Sequence, residues 1–212
     1  VFRTEDGRSA VIAGDQGMLV ITSSYNHYAD FVETLLRPCL MALSESVTPG
    51  PLLIRRYGLR YIDRVLPEND ETPEQYISES LRHDLSDSIP GSMGEMMGLS
   101  LLRCRMSEGY LDVRCFTGLG RPPLPSDLIP SPVIDDRPSG INDIKPDHRT
   151  AVIDTDRFID ISEGLDIQIA VKRYQRLHDD ISSTFKATVT KHALKMWGCG
   201  NSESKPTKRR KK

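Results

Sequence analysis

Apolar and polar residues alternate over the first part of the chain in the way that strands require. Residues 1–4, 9–13 and 18–23 are rich in strand-forming side chains, and polar turns at 5–8 and 14–17 separate them. The first turn contains Asp6-Gly7, and Asp-Gly is a strong signal for a tight hairpin. The pattern predicts a three-stranded antiparallel meander. Because Val1 already lies in the first predicted strand, we expect a further segment upstream.

A helical period follows between residues 26 and 44. Apolar side chains recur there at spacings of three and four residues, which places them on one helix face. They are Tyr28, Phe31, Leu35, Cys39 and Leu43. Pro38 lies inside this run and lacks a backbone N–H, so we expect it to kink or split the helix.

Residues 52–66 return to alternation and predict one long strand whose two faces differ in chemistry. One face carries Tyr57, Leu59 and Tyr61, and the other carries Arg56, Arg60 and Arg64. A helix is then predicted from Thr72 to Leu85, because Thr72, Pro73 and Gln75 form a good helix start.

The second half of the chain predicts a hairpin, a long connection and two helices. Strands at 96–106 and 110–117 flank a turn, and a short strand is expected at 150–153. A long helix at 165–185 has a continuous apolar stripe, made of Ile167, Ala170, Val171, Tyr174, Leu177, Ile181 and Phe185. Thr190 can cap a last short helix, and Gly198 can end it.

The order of these elements predicts the α+β class, with an antiparallel sheet of hairpins packed by the long C-terminal amphipathic helix. We expect a single domain over residues 1–200. Within it, residues 118–148 hold seven of the chain's 14 prolines. Such a stretch is typical of a long loop, and we interpret it as an insertion.

Composition indicates a folded protein with a core, and the charge is unevenly distributed along the chain. Of the 212 residues, 38% are hydrophobic and 27% are charged, which is enough apolar material for a core. Residues 201–212 hold six cations and one acid, a net charge of +5, so the preceding 200 residues carry −7. The cations are Lys205, Lys208, Arg209, Arg210, Lys211 and Lys212. We expect a disordered tail. Its cations can attract nucleic acid weakly, an acidic partner or an anionic membrane surface, or the tail can simply keep the protein in solution.

The standard sequence signals of catalysis and cofactor binding are missing. The chain has no nucleophile elbow, no phosphate-binding glycine loop and no zinc-protease motif. Its four cysteines lack metal-ligand spacing and are expected to be buried free thiols. Asp154, Asp156 and Asp160 can ligate a hard cation through oxygen, but they lack the spacing of a calcium loop. We interpret the first two as turn or cap residues. We therefore predict no catalytic residue, no metal and no cofactor.

Two features remain as candidate ligand-binding residues. Arg56, Arg60 and Arg64 on one strand face can bind an anion or a phosphate backbone, or can belong to a charged face with neighbouring acids. His178 beside the apolar stripe can act as a general base, or can be a packed boundary residue.

Several segments in fixed order resemble a known family. They are residues 2–8, 57–64 and 152–156, followed by a Leu-His…Phe…Trp-Gly ending. The set resembles the sporadically distributed TIGR-type family of uncharacterised bacterial proteins. Its signature residues here are Tyr57, Gly58, Leu59, Tyr61, Leu177, Phe185, Trp197 and Gly198. The resemblance implies a bacterial cytosolic protein, supplies no catalytic residue, and suggests an association with toxin–antitoxin or defence genes.

Three functional hypotheses follow. The first is a non-enzymatic binding or regulatory module with a protein partner. The second is a small-ligand receptor or enzyme with a cavity between the sheet and the C-terminal helix. The third is nucleic-acid association through the tail and the arginine strand. No apolar run is long enough to span a bilayer, and no signal peptide begins the chain, so we expect a cytoplasmic protein without membrane contact.

Overall fold

The structure is a computed structural model that describes residues 1–14, 17–24, 27–46, 52–68, 70–82, 90, 97–120, 125 and 144–199. The predicted disordered basic tail at 201–212 lies outside the described residues, as does most of the proline-rich stretch at 118–148. The two ends of that stretch are described. The Gly120 N–H donates to the His148 carbonyl at 2.7 Å, so the chain returns to the place where it left the sheet.

The predicted N-terminal meander is confirmed. Strands β1 (Phe2–Arg3), β2 (Ser9–Gly14) and β3 (Gly17–Thr22) form an antiparallel sheet in that order. The Asp6 side chain accepts a hydrogen bond from the Arg8 N–H, and Gly7 adopts a φ of 68° in the first turn. Met18 in β3 packs against the main body of the protein.

A second sheet of four antiparallel strands forms the centre of the molecule and confirms the α+β class. Its strands are β4 (Leu53–Val65), β5 (Met97–Arg105), β6 (Tyr110–Leu119) and β7 (Arg149–Gly164), in the order β4-β7-β6-β5. The last strand in sequence is therefore inserted between two others, and it pairs with both β4 and β6 along most of its length.

Strand β7 is much longer than the short strand predicted at 150–153. It has 16 residues and continues through Asp154, Asp156 and Asp160. Interpreting Asp154 and Asp156 as turn or cap residues was wrong, because both lie in the middle of the strand opposite residues of β4 and β6. Paired charges on neighbouring strands hold these acids in place, and that pairing cannot be seen in a local sequence pattern.

The first helical region is continuous through Pro38. It consists of α1 (Tyr28–Phe31), a π-helical segment (Val32–Leu36) and α2 (Arg37–Ser46). The Arg37 N–H donates to the Val32 carbonyl five residues back. The wider turn before Pro38 leaves room for the proline ring, so the expected break takes the form of a π-bulge.

The helix predicted from Thr72 to Leu85 is wrong in length. Helix α3 covers only Pro73–Tyr76, and the Thr72 side chain makes no capping bond. Ile77 leaves the helix to form a β-bridge with Val189, and a short 3₁₀ turn follows at Glu79–Leu81. Burial of Tyr76 and Ile77 in the core overrides the local helical preference. Leu85 lies outside the described residues.

Helices α4 (Ile167–Thr188) and α5 (Lys191–Met196) confirm the predicted C-terminal helices. The Asp166 side chain accepts hydrogen bonds from two backbone N–H groups at the start of α4, and Thr190 caps α5 in the same manner. The predicted stripe of α4 faces the sheet, with Ala170, Leu177 and Ile181 buried.

Two apolar clusters fill the space between the helices and the inner face of the second sheet. One lies under the C-terminal half of α4 and includes Tyr76, Val113 and Ile153. The other joins α1, α2 and the N-terminal half of α4, and includes Leu36, Tyr57 and Ile159. Strand β7 contributes an apolar side chain to each cluster, Ile153 to the first and Ile159 to the second.

Candidate functional site

The outer face of the second sheet, away from α4, is covered by a network of charges. Six arginines and four aspartates occupy its strand positions. They are Arg56, Arg60, Arg64, Arg103, Arg105 and Arg114, with Asp112, Asp154, Asp156 and Asp160. The face is thus net positive, whereas the first 200 residues together are acidic.

Asp154 lies at the centre of this network. Its side chain is 0% exposed. One of its carboxylate oxygens accepts a hydrogen bond from Arg60 Nε at 2.7 Å, and the other accepts from Arg60 Nη2 at 2.7 Å and from Arg114 Nη1 at 3.0 Å. A buried carboxylate held by two guanidinium groups is a structural ion cluster, since its negative charge is already compensated within the sheet.

The two neighbouring aspartates, Asp112 and Asp156, have pKa values shifted in opposite directions. Asp112 accepts two hydrogen bonds from Arg103, at 2.7 and 2.6 Å, and these bonds hold the pKa of Asp112 below its usual value. Asp156 lies opposite Asp112 on the adjacent strand. Burial raises the pKa of Asp156 above its usual value.

The arginine strand predicted as an anion site belongs to this network. Arg56 Nε donates to Asp160 at 2.6 Å, and Arg60 is bound to Asp154. Arg64 lies on the same face, half-buried opposite Val152. The geometry therefore favours the alternative interpretation, a charged sheet face with its own acids, for Arg56 and Arg60. Among the described residues there is also no group of three or more potential metal ligands.

His178 lies between two tyrosines at the junction of α1, β4 and α4. Its ring stacks on Tyr28 with centroids 4.0 Å apart, and its Nδ1 shares a 3.0 Å hydrogen bond with the Tyr61 hydroxyl. Desolvation lowers the pKa of His178, although Asp179 partly opposes this shift. The stack and the hydrogen bond join three elements. Of the two interpretations that the sequence left open for His178, general base or packed boundary residue, this geometry favours the packed residue.

Arg157 is a buried charge that the sequence analysis missed. It lies on the inner face of β7 with 0% exposure, and its Nε donates to Asp180 of α4 at 2.9 Å. Its Nη1 also donates to the carbonyls of Tyr110 and Phe158. Arg157 therefore ties α4 and the start of β6 to the central strand. The sequence held one signal for this burial: Arg157 alternates with Thr155 and Ile159, and alternate residues of a strand share one face.

Asp63 is the second unforeseen charge beneath α4. It lies on the inner face of β4, opposite Ile153, and none of the described residues pairs with its carboxylate or donates to it. Desolvation raises its pKa from 3.8 to about 6. Asp63 therefore destabilises the fold when it is ionised.

The signature residues of the family resemblance are mostly core residues. Tyr57 and Leu177 are buried together in one cluster, with Leu59 packed against them. Phe185 and Trp197 stack at 5.9 Å beside the other cluster, and Gly198 follows α5 with a φ of 71°. Gly58 lies on the outer face beside Phe158, and Tyr61 holds His178.

An apolar groove of about 220 Å³ opens beside β5. Its floor is formed by Leu111 and Val113, and one wall by the C-terminal half of α4. The 3₁₀ turn closes one end, where the Ser100 hydroxyl donates to the Leu81 carbonyl at 3.0 Å. Leu102 and Cys104 of β5 line the opposite wall. None of Arg56, Arg60, Arg64 and His178 lines this groove.

Strand β5 forms an edge of the second sheet, and exposed apolar side chains project from both of its faces. No described strand pairs with the side of β5 away from β6. Met97, Leu99 and Leu101 project from the outer face, and Leu102 projects toward the groove with 49% of its surface exposed. The opposite edge, β4, has an irregularity between Ile54 and Arg56 and is rich in charge, and such features protect an edge from further pairing. Of the two described edges of this sheet, β5 is the one that is regular and has the apolar groove beside it.

A second, shallower groove of about 240 Å³ lies at the N-terminal half of α4. Lys172, Arg173 and Arg176 line it together with Glu108. Arg173 pairs with Glu163 at 2.7 Å, and Arg176 pairs with Glu108 at 3.1 Å. Two of its three cations are therefore already neutralised by acids of the same surface.

The four cysteines are all free, but they are not all buried as expected. Cys115 is buried, Cys39 and Cys104 are half-buried, and Cys199 is exposed. Cys104 is one of the residues that line the apolar groove.

Replacement of Asp154 by Asn tests whether the outer network stabilises the fold. We expect Asp154→Asn to lower the free energy of unfolding by about 3 kcal/mol, because two partly buried guanidinium groups lose their shared counter-charge. Asp160→Asn is the matched control, since its pair with Arg56 is exposed on both sides. It should cost less than about 1 kcal/mol. Urea unfolding measures both, and equal losses would show that the cluster adds nothing beyond surface pairs.

Replacement of Asp63 by Asn tests its raised pKa. A carboxyl whose folded pKa lies above its unfolded value is most favourable when protonated, so its contribution is complete below pH ~4 and is lost as the pH rises through about 6. The stability of Asp63→Asn relative to the unchanged protein should therefore rise by about 2–3 kcal/mol between pH 4 and pH 8. Asp63→Ala should show the same pH dependence from a lower baseline. A difference that stays constant with pH would contradict the raised pKa.

Comparison of the chain with family models, curated proteins and solved structures gives no match in any of the three. The resemblance to the TIGR-type family therefore stays a prediction. None of the described helices has both the length and the apolarity that a membrane crossing requires.

Proposed function

We propose that this protein is a non-enzymatic binding module that captures an extended segment of a partner protein along β5. The observation that carries the proposal is the combination of a regular edge strand with an apolar groove beside it. Recognition by strand addition uses these two parts: the edge supplies main-chain hydrogen bonds, and the groove receives alternate side chains.

The dimensions of β5 suit this mode of binding. The strand has nine residues in unbroken register with β6. Side chains of an added strand alternate between the two faces of the sheet. Those on the inner face would enter the groove between Leu102 and Ala187, and those on the outer face would lie beside Leu99 and Leu101.

The distribution of charge supports binding rather than catalysis. The polar side chains that sequence analysis singled out are engaged within the fold: Arg56 and Arg60 by aspartates, and His178 by two tyrosines. Strand addition requires none of them. It uses the backbone and apolar side chains, and those are what β5 leaves exposed.

Other expectations from the sequence stay predictions beside this proposal. They are a cytoplasmic location, a partner from a toxin–antitoxin or defence pair, and weak nucleic-acid contact through the basic tail. They concern which partner binds and where in the cell, and the mode of binding at β5 does not depend on them.

A random peptide library displayed on phage tests the proposed function. Selection on the immobilised protein should enrich peptides that bind it in solution. Leu102→Glu should weaken their binding about tenfold or more, because a carboxylate at the mouth of the groove would lose its hydration when a strand is added.

Leu19→Glu is the matched control for this experiment. Leu19 lies on β3 and is 51% exposed, against 49% for Leu102, so both variants place one charge at an equally exposed leucine. Urea unfolding should show both folded. Enriched peptides that bind the Leu102→Glu variant and the unchanged protein equally well, or a selection that enriches no peptide, would overturn the proposal.

A further inference from the structure

The outer face of β5 changes character along the strand. Met97, Leu99 and Leu101 occupy its first part, with exposures of 73%, 56% and 61%. Arg103 and Arg105 occupy the same face toward the end of the strand. Arg103 shares its charge with Asp112, while Arg105 is exposed and has no ion pair among the described residues. The edge is therefore apolar at one end and basic at the other.

An added strand would meet these side chains in a fixed order. The described strands of this sheet all pair antiparallel, and antiparallel pairing is the slightly more stable arrangement. In that direction, the first and third residues of the added strand lie opposite Arg105 and Arg103. The second and fourth lie opposite Cys104 and Leu102, on the groove side.

We propose that the segment captured at β5 is acidic at its first and third positions and apolar at the second, fourth, fifth and seventh. The inference rests on the proposed function and specifies the chemistry of its partner. Opposite charges on directly facing strand positions attract, and like charges repel. An acid opposite Arg105 meets a cation that has no ion pair among the described residues. An acid opposite Arg103 meets a guanidinium that Asp112 binds but whose side chain stays 60% exposed on a net positive face. Apolar residues fill the groove and cover Leu99 and Leu101.

A second copy of this chain fits the same edge less well. In an antiparallel pair of two β5 strands centred on Leu101, Arg103 and Arg105 face Leu99 and Met97 of the other copy. The groove side would then receive Ser100 and Gly98 opposite Leu102 and Cys104, and these residues are too small to fill it. Strand β5 contains no acidic residue, so Arg103 and Arg105 meet no opposite charge on a second β5 in any register. The charge therefore favours a partner of different sequence.

Three synthetic peptides of one apolar framework test the inference. The first is Glu-Leu-Glu-Val-Val-Ser-Val with blocked ends and an N-terminal fluorophore, and the other two carry Gln or Lys in place of both Glu residues. Fluorescence anisotropy at low salt should rank the affinities Glu, then Gln, then Lys, with about fivefold or more between the first and the last. This difference should shrink at high salt, because the charges are exposed.

Charge reversal on the protein supplies the second half of the test. Arg105→Glu should remove most of the difference between the Glu and Lys peptides, because the facing pair at the first position becomes repulsive for Glu while the pair opposite Arg103 is unchanged. It leaves Asp112 its partner Arg103, so the outer network stays intact. Arg55→Glu is the matched control, because Arg55 is an exposed arginine on the opposite edge strand. It should leave the ranking unchanged.

The outcomes separate this inference from the proposed function. If all three peptides bind with equal affinity and Leu102→Glu abolishes the binding, strand addition stands and the charge inference is overturned. If none of the peptides binds, while library peptides bind in a Leu102-dependent manner, the inferred sequence is likewise wrong. Sedimentation that shows a dimer lost in Leu102→Glu would assign the edge to a second copy and overturn the inference.

Discussion

The fold depends on a central strand that carries buried charge on both of its faces. Asp154 and Arg157 are three residues apart in β7, project to opposite sides of the sheet, and are both fully buried. Removal of charge from water is costly unless the partners are well placed. Arg60 and Arg114 from the two flanking strands satisfy Asp154, and Asp180 from α4 satisfies Arg157. These pairs specify the register of the sheet and the position of α4 together. A shift of a flanking strand or of α4 would leave Asp154 or Arg157 buried without its partner.

This constraint explains why the most conspicuous polar residues are engaged within the fold. Arg56 and Arg60 project from β4 next to the aspartates of β7, so both are neutralised within the sheet. His178 is used in the same way, as a polar contact between α1, β4 and α4. Among the described residues, the edge of the sheet is a surface that these contacts leave open: β5 has a partner on one side, and α4 stops short of covering Leu102.

Sequence reasoning predicted the elements whose signals are local. The N-terminal meander follows from Asp6-Gly7, and α4 follows from its continuous apolar stripe. It failed where distant parts of the chain decide the outcome. The length of β7 depends on arginines about 40 and 94 residues away, and α3 ends early because Ile77 bridges to Val189. The β5 groove could not be predicted either, since its walls come from four separate elements. The alternation within β5 was visible, but nothing local shows that this strand would lie at an edge.

Hydrogen exchange tests the central claim, that β5 accepts an added strand, most directly. Amide exchange is measured across the protein alone and with a peptide whose binding requires Leu102. Strand addition predicts slower exchange at alternate amides of Met97–Arg105, those that point away from β6, since they acquire carbonyl partners. Exchange along β4 should stay unchanged. Unaltered exchange along β5 with the peptide bound, or protection that appears along β4 instead, would contradict the claim.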